Sequence, residues 1–216
     1  MPRANSSLFS YLRSLQLRQY LFGQEHTQVA QSLNNLAELY RYQGKYSEAE
    51  PLYIKALEMR QRLLGTEHED VATSLNNLAL LYSSQQRHTD AEFLFLKALK
   101  IRQRLQGHKH LGVATILNNL AVFYQSQKCY LKAETCYLEA LDIRQNLLPH
   151  KHPDLASSFN NLGDLYLSQH RYKEAEPLFQ KALEICELRF GIHHHRTIMV
   201  CNHLAYVRAR LNSVQE

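Results

Sequence analysis

The sequence repeats itself with a period of 42 residues, and this period restricts the possible folds more than any other feature. Copies of the pattern begin at Gly23, Gly65, Gly107 and Pro149. A fifth copy begins at Gly191 and covers only the first half of the pattern, and residues 15–22 match the end of a copy. Repeats of this length stack on their neighbours, because one unit cannot bury its apolar face alone. We expect structural repeats at 23–64, 65–106, 107–148 and 149–190. We expect 1–22 to be an N-terminal helix forming a partial repeat, and 191–216 a C-terminal capping helix and tail.

Each copy contains two amphipathic segments. Val29, Leu33 and Leu36 start a series at helical spacing, and Tyr46, Ala49 and Leu52 start a second. Between them, Gly44 is suited to a left-handed helix end, although Gln86, Lys128 and His170 occupy its place in later copies. The pattern predicts an all-α chain of antiparallel helix pairs with no strands.

Small residues recur where two helices must approach closely. These positions are Ala37, Ala49, Ala56 and their equivalents in the other copies, with Gly163 in one of them. Tyrosine recurs at 40, 82, 124 and 166, where a large ring is expected to fill the space between helices. We interpret these aromatic residues as core residues and not as a cofactor site.

Composition excludes several classes of function. Lys plus Arg number 25 and Asp plus Glu 20, a net charge of +5 without the clustered basic face of a nucleic-acid-binding protein. No stretch approaches the ~20 apolar residues that a membrane span needs, and the N-terminus does not resemble a signal peptide. We therefore expect a cytoplasmic protein that binds neither membrane nor nucleic acid. The four cysteines have irregular spacing, which argues against disulfides and zinc.

The repeated residues resemble those of the tetratricopeptide repeat (TPR) family. The matching positions are Leu33, Leu36, Ala37, Tyr40, Ala49, Tyr53 and Ala56. The 42-residue form, with LNNLAxLY and ALxIRQ motifs, is similar to the kinesin light chain subfamily. The resemblance implies a right-handed superhelical solenoid whose first helices line a concave groove. A kinesin light chain would carry a long coiled coil ahead of its repeats, whereas about 22 residues precede Gly23. We expect a light-chain-like repeat protein or a fragment of a larger one, and bacterial repeat proteins fit equally well.

The same resemblance assigns a peptide-binding groove. The second asparagine of each LNNL or FNNL motif is expected to line it, because a side-chain amide can pair with any peptide backbone: Asn35, Asn77, Asn119 and Asn161. The first asparagines are expected to share the surface or to bond to the next repeat: Asn34, Asn76, Asn118 and Asn160. Helical spacing adds Glu38, Arg41, Leu80, Ser83, Val122, Gln125, Asp164 and Leu167. Arg62 and Arg104 are expected at the groove edge, where they would select an acidic ligand residue, or else as solvated helix ends.

The twelve histidines do not indicate a metal site. His26, His68, His110, His152 and His194 recur with the 42-residue period in the loop before each first helix, where we expect them to bond to the backbone. Asp70 and Asp154 are candidate N-cap residues of their helices. No catalytic motif occurs, so we expect no enzymatic activity, no cofactor and no metal.

The sequence therefore predicts a protein interaction scaffold or adaptor that holds an extended peptide segment of a partner. Two alternatives remain open. One is a structural or self-associating module in which the apolar N-terminal helix pairs chains into a homo-oligomer. The other is a regulatory fragment of a larger motor or signalling protein. Binding of RNA is disfavoured, because the predicted groove is not basic.

Overall fold

The computed structural model describes residues 2–213, with side chains from Leu8 onward, and this part of the chain forms ten α-helices and no strand. The all-α prediction is confirmed. Met1 and residues 214–216, which belong to the predicted first and last segments, lie outside the described residues. The chain divides into two compact units, Met1–His108 and Lys109–Glu216.

Each unit is built from five helices. Unit 1 contains α1 (Pro2–Phe22), α2 (Thr27–Tyr42), α3 (Tyr46–Leu64), α4 (Glu69–Ser84) and α5 (His88–Gln106). Unit 2 contains α6 (Leu111–Ser126), α7 (Tyr130–Leu147), α8 (Pro153–Ser168), α9 (Tyr172–Phe190) and α10 (His195–Asn212). In both units each helix packs on the next one, and successive first helices also touch, α2 on α4 and α6 on α8.

The predicted small residues lie in the helix interfaces. The alanines and the glycine at these positions are all buried: Ala37, Ala49, Ala56, Ala79, Ala91, Ala98, Ala121, Ala133, Ala140, Gly163, Ala175 and Ala182. In unit 1, one core cluster joins Ala37 and Tyr53 of the first repeat to Leu78 and Leu81 of the second. Neighbouring repeats therefore share a core, as the stacking argument predicts.

The turn inside each helix pair requires a left-handed residue. Gly44 has φ 72°, and Gln86, Lys128 and His170 have φ 61°, 58° and 60°. The main-chain N–H group that follows this residue donates to a carbonyl of the preceding helix, as in Lys45 to Tyr40 at 2.9 Å. The three side-chain-bearing residues thus keep the turn at a cost of roughly 1–2 kcal/mol each in backbone strain.

Histidine, not aspartate, begins each first helix. Nδ1 of the N-cap histidine accepts a hydrogen bond from the backbone N–H two residues later: His26 (3.1 Å), His68 (3.1 Å), His110 (3.0 Å), His152 (3.2 Å) and His194 (3.2 Å). The expectation that Asp70 and Asp154 cap their helices is wrong, because both lie inside the first turn and supply the donating N–H.

Buried arginines join consecutive repeats. Arg60 Nη1 donates to Ser74 Oγ at 2.8 Å and to the carbonyl of Asp70 at 3.1 Å. In unit 2, Arg144 Nη1 donates to Ser158 Oγ at 2.6 Å. Each pair links the second helix of one repeat to the first helix of the next, and the serine hydroxyl partly satisfies a guanidinium that is removed from water.

Two further junctions between copies vary this pair. Cys186 of the fourth copy and Val200 of the fifth occupy the arginine and serine positions, and both are buried. Ile116 occupies the serine position in the third copy, and Arg102 bonds within unit 1 to Glu69 and Thr73 at 3.0 and 2.8 Å. At both junctions the serine hydroxyl is missing. The arginine position holds a cysteine at one of them and a half-buried arginine at the other.

Candidate functional site

The paired asparagines predicted for the groove, which we call the asparagine ladder, bond partly to one another in unit 1. Its members there are Asn34, Asn35, Asn76 and Asn77. Asn77 Nδ2 donates to Asn34 Oδ1 at 3.3 Å, and Asn76 Nδ2 donates to Asn77 Oδ1 at 3.1 Å. Asn35 Oδ1 accepts from Gln31 Nε2 at 2.6 Å, while no described residue accepts from its Nδ2 group. The first asparagines are buried and the second ones are half-buried. The amides therefore link helix α2 to helix α4 and keep part of their bonding capacity.

Unit 2 repeats this arrangement with different partners. Asn161 Nδ2 donates to Asn118 Oδ1 at 3.0 Å, and Asn160 Nδ2 donates to Asp164 Oδ2 at 2.9 Å. No described residue donates to Asn161 Oδ1, and Asn160 Oδ1 is buried without a partner. Asn119 is half-buried and also takes part in interactions. Asn161 thus offers a free carbonyl oxygen on a partly exposed amide.

Four predicted groove residues of unit 2 meet at one cavity. Its volume is 350 Å³, and it lies between α6, α7 and α8. The lining residues are Val122, Gln125, Ser126, Tyr137, Asn161 and Asp164. Tyr137 Oη donates to Gln125 Oε1 at 3.0 Å, and burial raises the pKa of Tyr137. The cavity combines one exposed aliphatic side chain with amide, hydroxyl and carboxylate groups.

A second cavity adjoins the ladder between α8 and α10, with a volume of 190 Å³. Asn160 and Asn161 line it together with Phe190, Arg196, Met199 and Val200. Asn161 therefore lies on both cavities of this surface. The residues from α9 and α10 were not among the sequence predictions, because the last copy departs from the repeat pattern.

The corresponding residues of unit 1 are half-buried on α2 and α4: Glu38, Arg41, Leu80 and Ser83. Burial raises the pKa of Tyr53 to about 12, and the positive charge of nearby Arg41 opposes this shift. Tyr53 and Tyr137 occupy the same repeat position, and each lies near the polar residue predicted to line the groove. Tyr53 is close to Arg41, and Tyr137 donates a hydrogen bond to Gln125. The copies with Ser83 and Leu167 carry Phe95 and Phe179 instead. This alternation of tyrosine and phenylalanine is a signal that the sequence interpretation missed.

Arg62 and Arg104 are exposed and paired. Arg62 Nη2 lies 2.9 Å from Glu25 Oε2, and Arg104 Nη1 lies 3.4 Å from Glu67 Oε1. Each glutamate belongs to the loop that begins the same repeat. An acidic ligand would have to compete with this glutamate, so the assignment of both arginines to ligand selection stays a prediction.

His203 takes the ladder position in the last copy and contacts Asp164. His203 Nδ1 lies 3.1 Å from Asp164 Oδ1, and its ring lies 5.2 Å from that of Phe179. The nearby Asp164 carboxylate raises the pKa of His203, against the opposing effect of burial. This end of the unit 2 surface therefore holds a pair that becomes an ion pair when His203 is protonated.

Among the described residues, no group of three or more His, Cys, Asp or Glu side chains could hold a metal ion. None of the described helices has the length and apolar character required to cross a bilayer.

Comparisons with known proteins agree with the repeat architecture. The tetratricopeptide repeat profile matches residues 10–61, 28–104, 70–122 and 112–188. Comparison with curated protein sequences found no match. Among solved structures, the chain is similar to BtubC (BKLC) from P. vanneervenii, with 27% identity, a TM-score of 0.81, and coverage of 98% of this chain and 85% of that one.

A second similar structure is that of a Podosopora anserina protein described as a kinesin light chain with nearly identical TPR-like repeats. The identity is 21%, the TM-score is 0.74, and the alignment covers 88% of this chain and 90% of that one. A point variant of the same protein gives the same values. At this identity the likeness concerns the fold.

Tetratricopeptide repeats generally serve as protein interaction scaffolds and are typically not enzymes. The profile match covers most of the sequence, and it agrees with the helix pairs and buried small residues of both units and with the core shared by the first two repeats. The chain therefore belongs to the tetratricopeptide repeat family and is similar to its kinesin light chain-like members.

Proposed function

We propose that this chain is a non-enzymatic adaptor that binds an extended polypeptide segment on the surface formed by the first helices within a unit. The observation that carries the proposal is Asn161, whose carbonyl oxygen has no described partner and whose amide lines both cavities of the unit 2 surface. An extended peptide presents main-chain N–H groups that could donate to this oxygen. The proposed occupant is a protein segment, because the cavities combine apolar side chains with amides and hydroxyls and have only one charged lining residue each.

Unit 1 offers the complementary group. Asn35 Nδ2 has no described acceptor, so this amide could donate to a peptide carbonyl. Asn77 is a weaker candidate for ligand binding, because its Nδ2 and Oδ1 atoms already bond to Asn34 and Asn76. We therefore expect a segment bound to unit 1 to depend on Asn35 more than on Asn77, and a segment bound to unit 2 to depend on Asn161.

The test is to select binding peptides from a random library on the wild-type chain and to measure their affinities for single variants. Asn35→Ala should weaken peptides that bind unit 1, and Asn161→Ala those that bind unit 2, each by about 0.5–1.5 kcal/mol, or roughly 2- to 12-fold in Kd. The matched control is Asn146→Ala, since Asn146 is an exposed asparagine on α7 that bonds only to Asp142 of its own helix. Unchanged affinity in both ladder variants, with folded proteins, would contradict the proposal.

A second candidate function, self-association, is favoured by the exposed apolar face of α1. Phe9, Leu17, Tyr20 and Leu21 are all exposed, Tyr20 at 86%, and their spacing places them on one side of the helix. Such a face suits a second copy of the chain. Light scattering over a range of concentrations should detect dimers that vanish in the Tyr20→Ser, Leu21→Ser double variant. A mass equal to that of the monomer at every concentration would rule this function out.

A further inference from the structure

A separate cavity lies on another side of helix α8. It is bounded by α7, α8 and α9 and has a volume of 540 Å³. Its residue from the middle of α8 is Phe159, two positions before Asn161. Residues two positions apart on a helix differ by about 200° in direction. The cavity and the surface that carries Asn161, here called the asparagine surface, therefore occupy nearly opposite sides of α8. The two sites have no lining residue in common.

The floor of this outer cavity is apolar. Leu155, Phe159 and Ile185 form it, and each of them is buried. Leu188 stands at the edge and is 59% exposed. A volume of this size, open to solvent over an aliphatic and aromatic floor, can accept apolar side chains of a partner.

The rim of the cavity is basic. Lys181 Nζ lies 5.4 Å above the centre of the Phe159 ring, and the Lys151 side chain forms no ion pair with any described residue. Arg189 approaches the same rim, where its Nε donates to the carbonyl oxygen of Lys151 at 2.8 Å. Glu184 is the acidic group of the lining and accepts from Gln180 Nε2 at 3.2 Å. The cations therefore outnumber the carboxylate around the apolar floor.

The copy that forms most of this cavity, residues 149–190, differs from the first two copies at two positions of the 42-residue pattern where those copies carry opposite charges. Leu188 occupies the position of Arg62 and Arg104 in the first two copies, and Lys151 occupies that of Glu25 and Glu67. In unit 1 those residues form the ion pairs Arg62–Glu25 and Arg104–Glu67. In the last full copy, an apolar side chain and an unpaired cation replace the arginine and the glutamate. The exchange removes a polar bridge and leaves an apolar floor with a positive edge.

We propose that this outer cavity is a second docking site, which takes an acidic amphipathic helix of a partner protein. Apolar side chains spaced one turn apart on that helix would fill the space over Phe159 and Ile185, and its carboxylates would face Lys151 and Lys181. A helix suits the furrow between α7 and α9 better than a nucleic acid does, because a phosphate backbone has no use for an apolar floor. The site could be occupied together with the asparagine surface.

Fluorescence anisotropy with a labelled peptide that repeats the unit Glu-Leu-Leu-Glu tests the proposal. The wild-type chain should bind this peptide, and the same peptide with lysine in place of glutamate should bind at least about tenfold more weakly. Absence of binding by the glutamate peptide, or equal binding of both peptides, would overturn the proposal. Preference for a short RNA over the glutamate peptide would overturn it as well.

The decisive variant is the pair Leu188→Arg and Lys151→Glu, which restores the residues of the first two copies. Both positions are exposed, so the helical circular dichroism and the melting temperature should stay close to wild type. Binding of the glutamate peptide should fall at least about tenfold, whereas Asn161→Ala should leave it unchanged. Lys181→Glu provides a second variant if the pair proves unstable. Wild-type affinity for the glutamate peptide in a folded variant would overturn the proposed site. Weaker binding of this peptide to Asn161→Ala would show that it binds the surface that carries Asn161.

Discussion

Arg60 Nη1 donates a hydrogen bond to Ser74 Oγ over 2.8 Å, and Arg60 is 1% exposed. Burial lowers the pKa of this guanidinium, because leaving water disfavours its charge. The bond joins the second helix of one repeat to the first helix of the next, and Gln31 and the Asp70 carbonyl accept from the same side chain. Loss of one acceptor would leave part of the hydrogen-bonding capacity of this buried charged group unsatisfied.

Ser74→Val should therefore destabilise the protein by about 1.5–3 kcal/mol, measured by urea denaturation. The double variant Arg60→Cys, Ser74→Val reproduces the pair found at the junction of the fourth and fifth copies, Cys186 and Val200. It should be more stable than the sum of the two single changes predicts, by at least about 0.5 kcal/mol, because the donor disappears together with its acceptor. Strict additivity would show that the two side chains are not coupled.

The left-handed turn residues offer a way to stabilise the chain. Gln86→Gly, Lys128→Gly and His170→Gly should each raise the free energy of unfolding by about 0.5–1 kcal/mol, since relief of backbone strain exceeds the added flexibility of the unfolded chain. Gly44→Ala is the reverse control and should lower it. Denaturant midpoints that fall in all three glycine variants would contradict this explanation.

His203 should make stability depend on pH. Because the Asp164 carboxylate raises the pKa of folded His203, the folded state holds the proton more tightly than the unfolded state. The stabilisation is complete below the unfolded pKa of about 6.5 and is lost as the pH rises through the folded pKa. The pair is partly exposed, so we expect a loss of only about 0.5–1 kcal/mol. Melting temperatures at about pH 6 and about pH 8 should differ less in His203→Gln than in the wild type.

Gly163 should resist substitution. A Cβ atom at this position would lie 2.9 Å from Cε1 of the buried Phe179 ring. Gly163→Ala should cost about 1–3 kcal/mol in thermal or urea unfolding despite the helix preference of alanine. The equivalent pair, Ala79 and Phe95, coexists in the second repeat, so Phe179 has taken space that an alanine fills elsewhere. A more stable Gly163→Ala variant would show that the ring can move aside.

The sequence predicted the helix pairs well, because small and apolar residues recur at fixed positions. Ala49 and Ala56 are buried as expected, and Gly44 has the expected left-handed conformation. The N-cap residue was misassigned, since aspartate is a common cap and periodicity alone cannot show that His68 and His152 come first. Val122, Gln125 and Asp164, which were selected by helical spacing, line a single cavity together with Asn161.

Other features were beyond the sequence interpretation for identifiable reasons. The bond from Asn77 to Asn34 depends on the approach of two helices, which spacing within one helix does not reveal. The outer cavity arises where Leu188 and Lys151 break the repeat pattern, and such exceptions are easily taken for neutral surface variation. Comparison of each copy with the others, position by position, would have revealed both Leu188 and the exchange of Arg60 and Ser74 for Cys186 and Val200.

The arginine and serine pairs also determine how this chain could be recombined. Arg144 and Ser158 come from different copies, so a copy excised at its 42-residue boundary separates them. A transplanted copy would bring an arginine to a neighbour that offers valine, or a serine to a neighbour that offers cysteine. The modular segment that can be grafted intact therefore runs from the second helix of one copy to the first helix of the next.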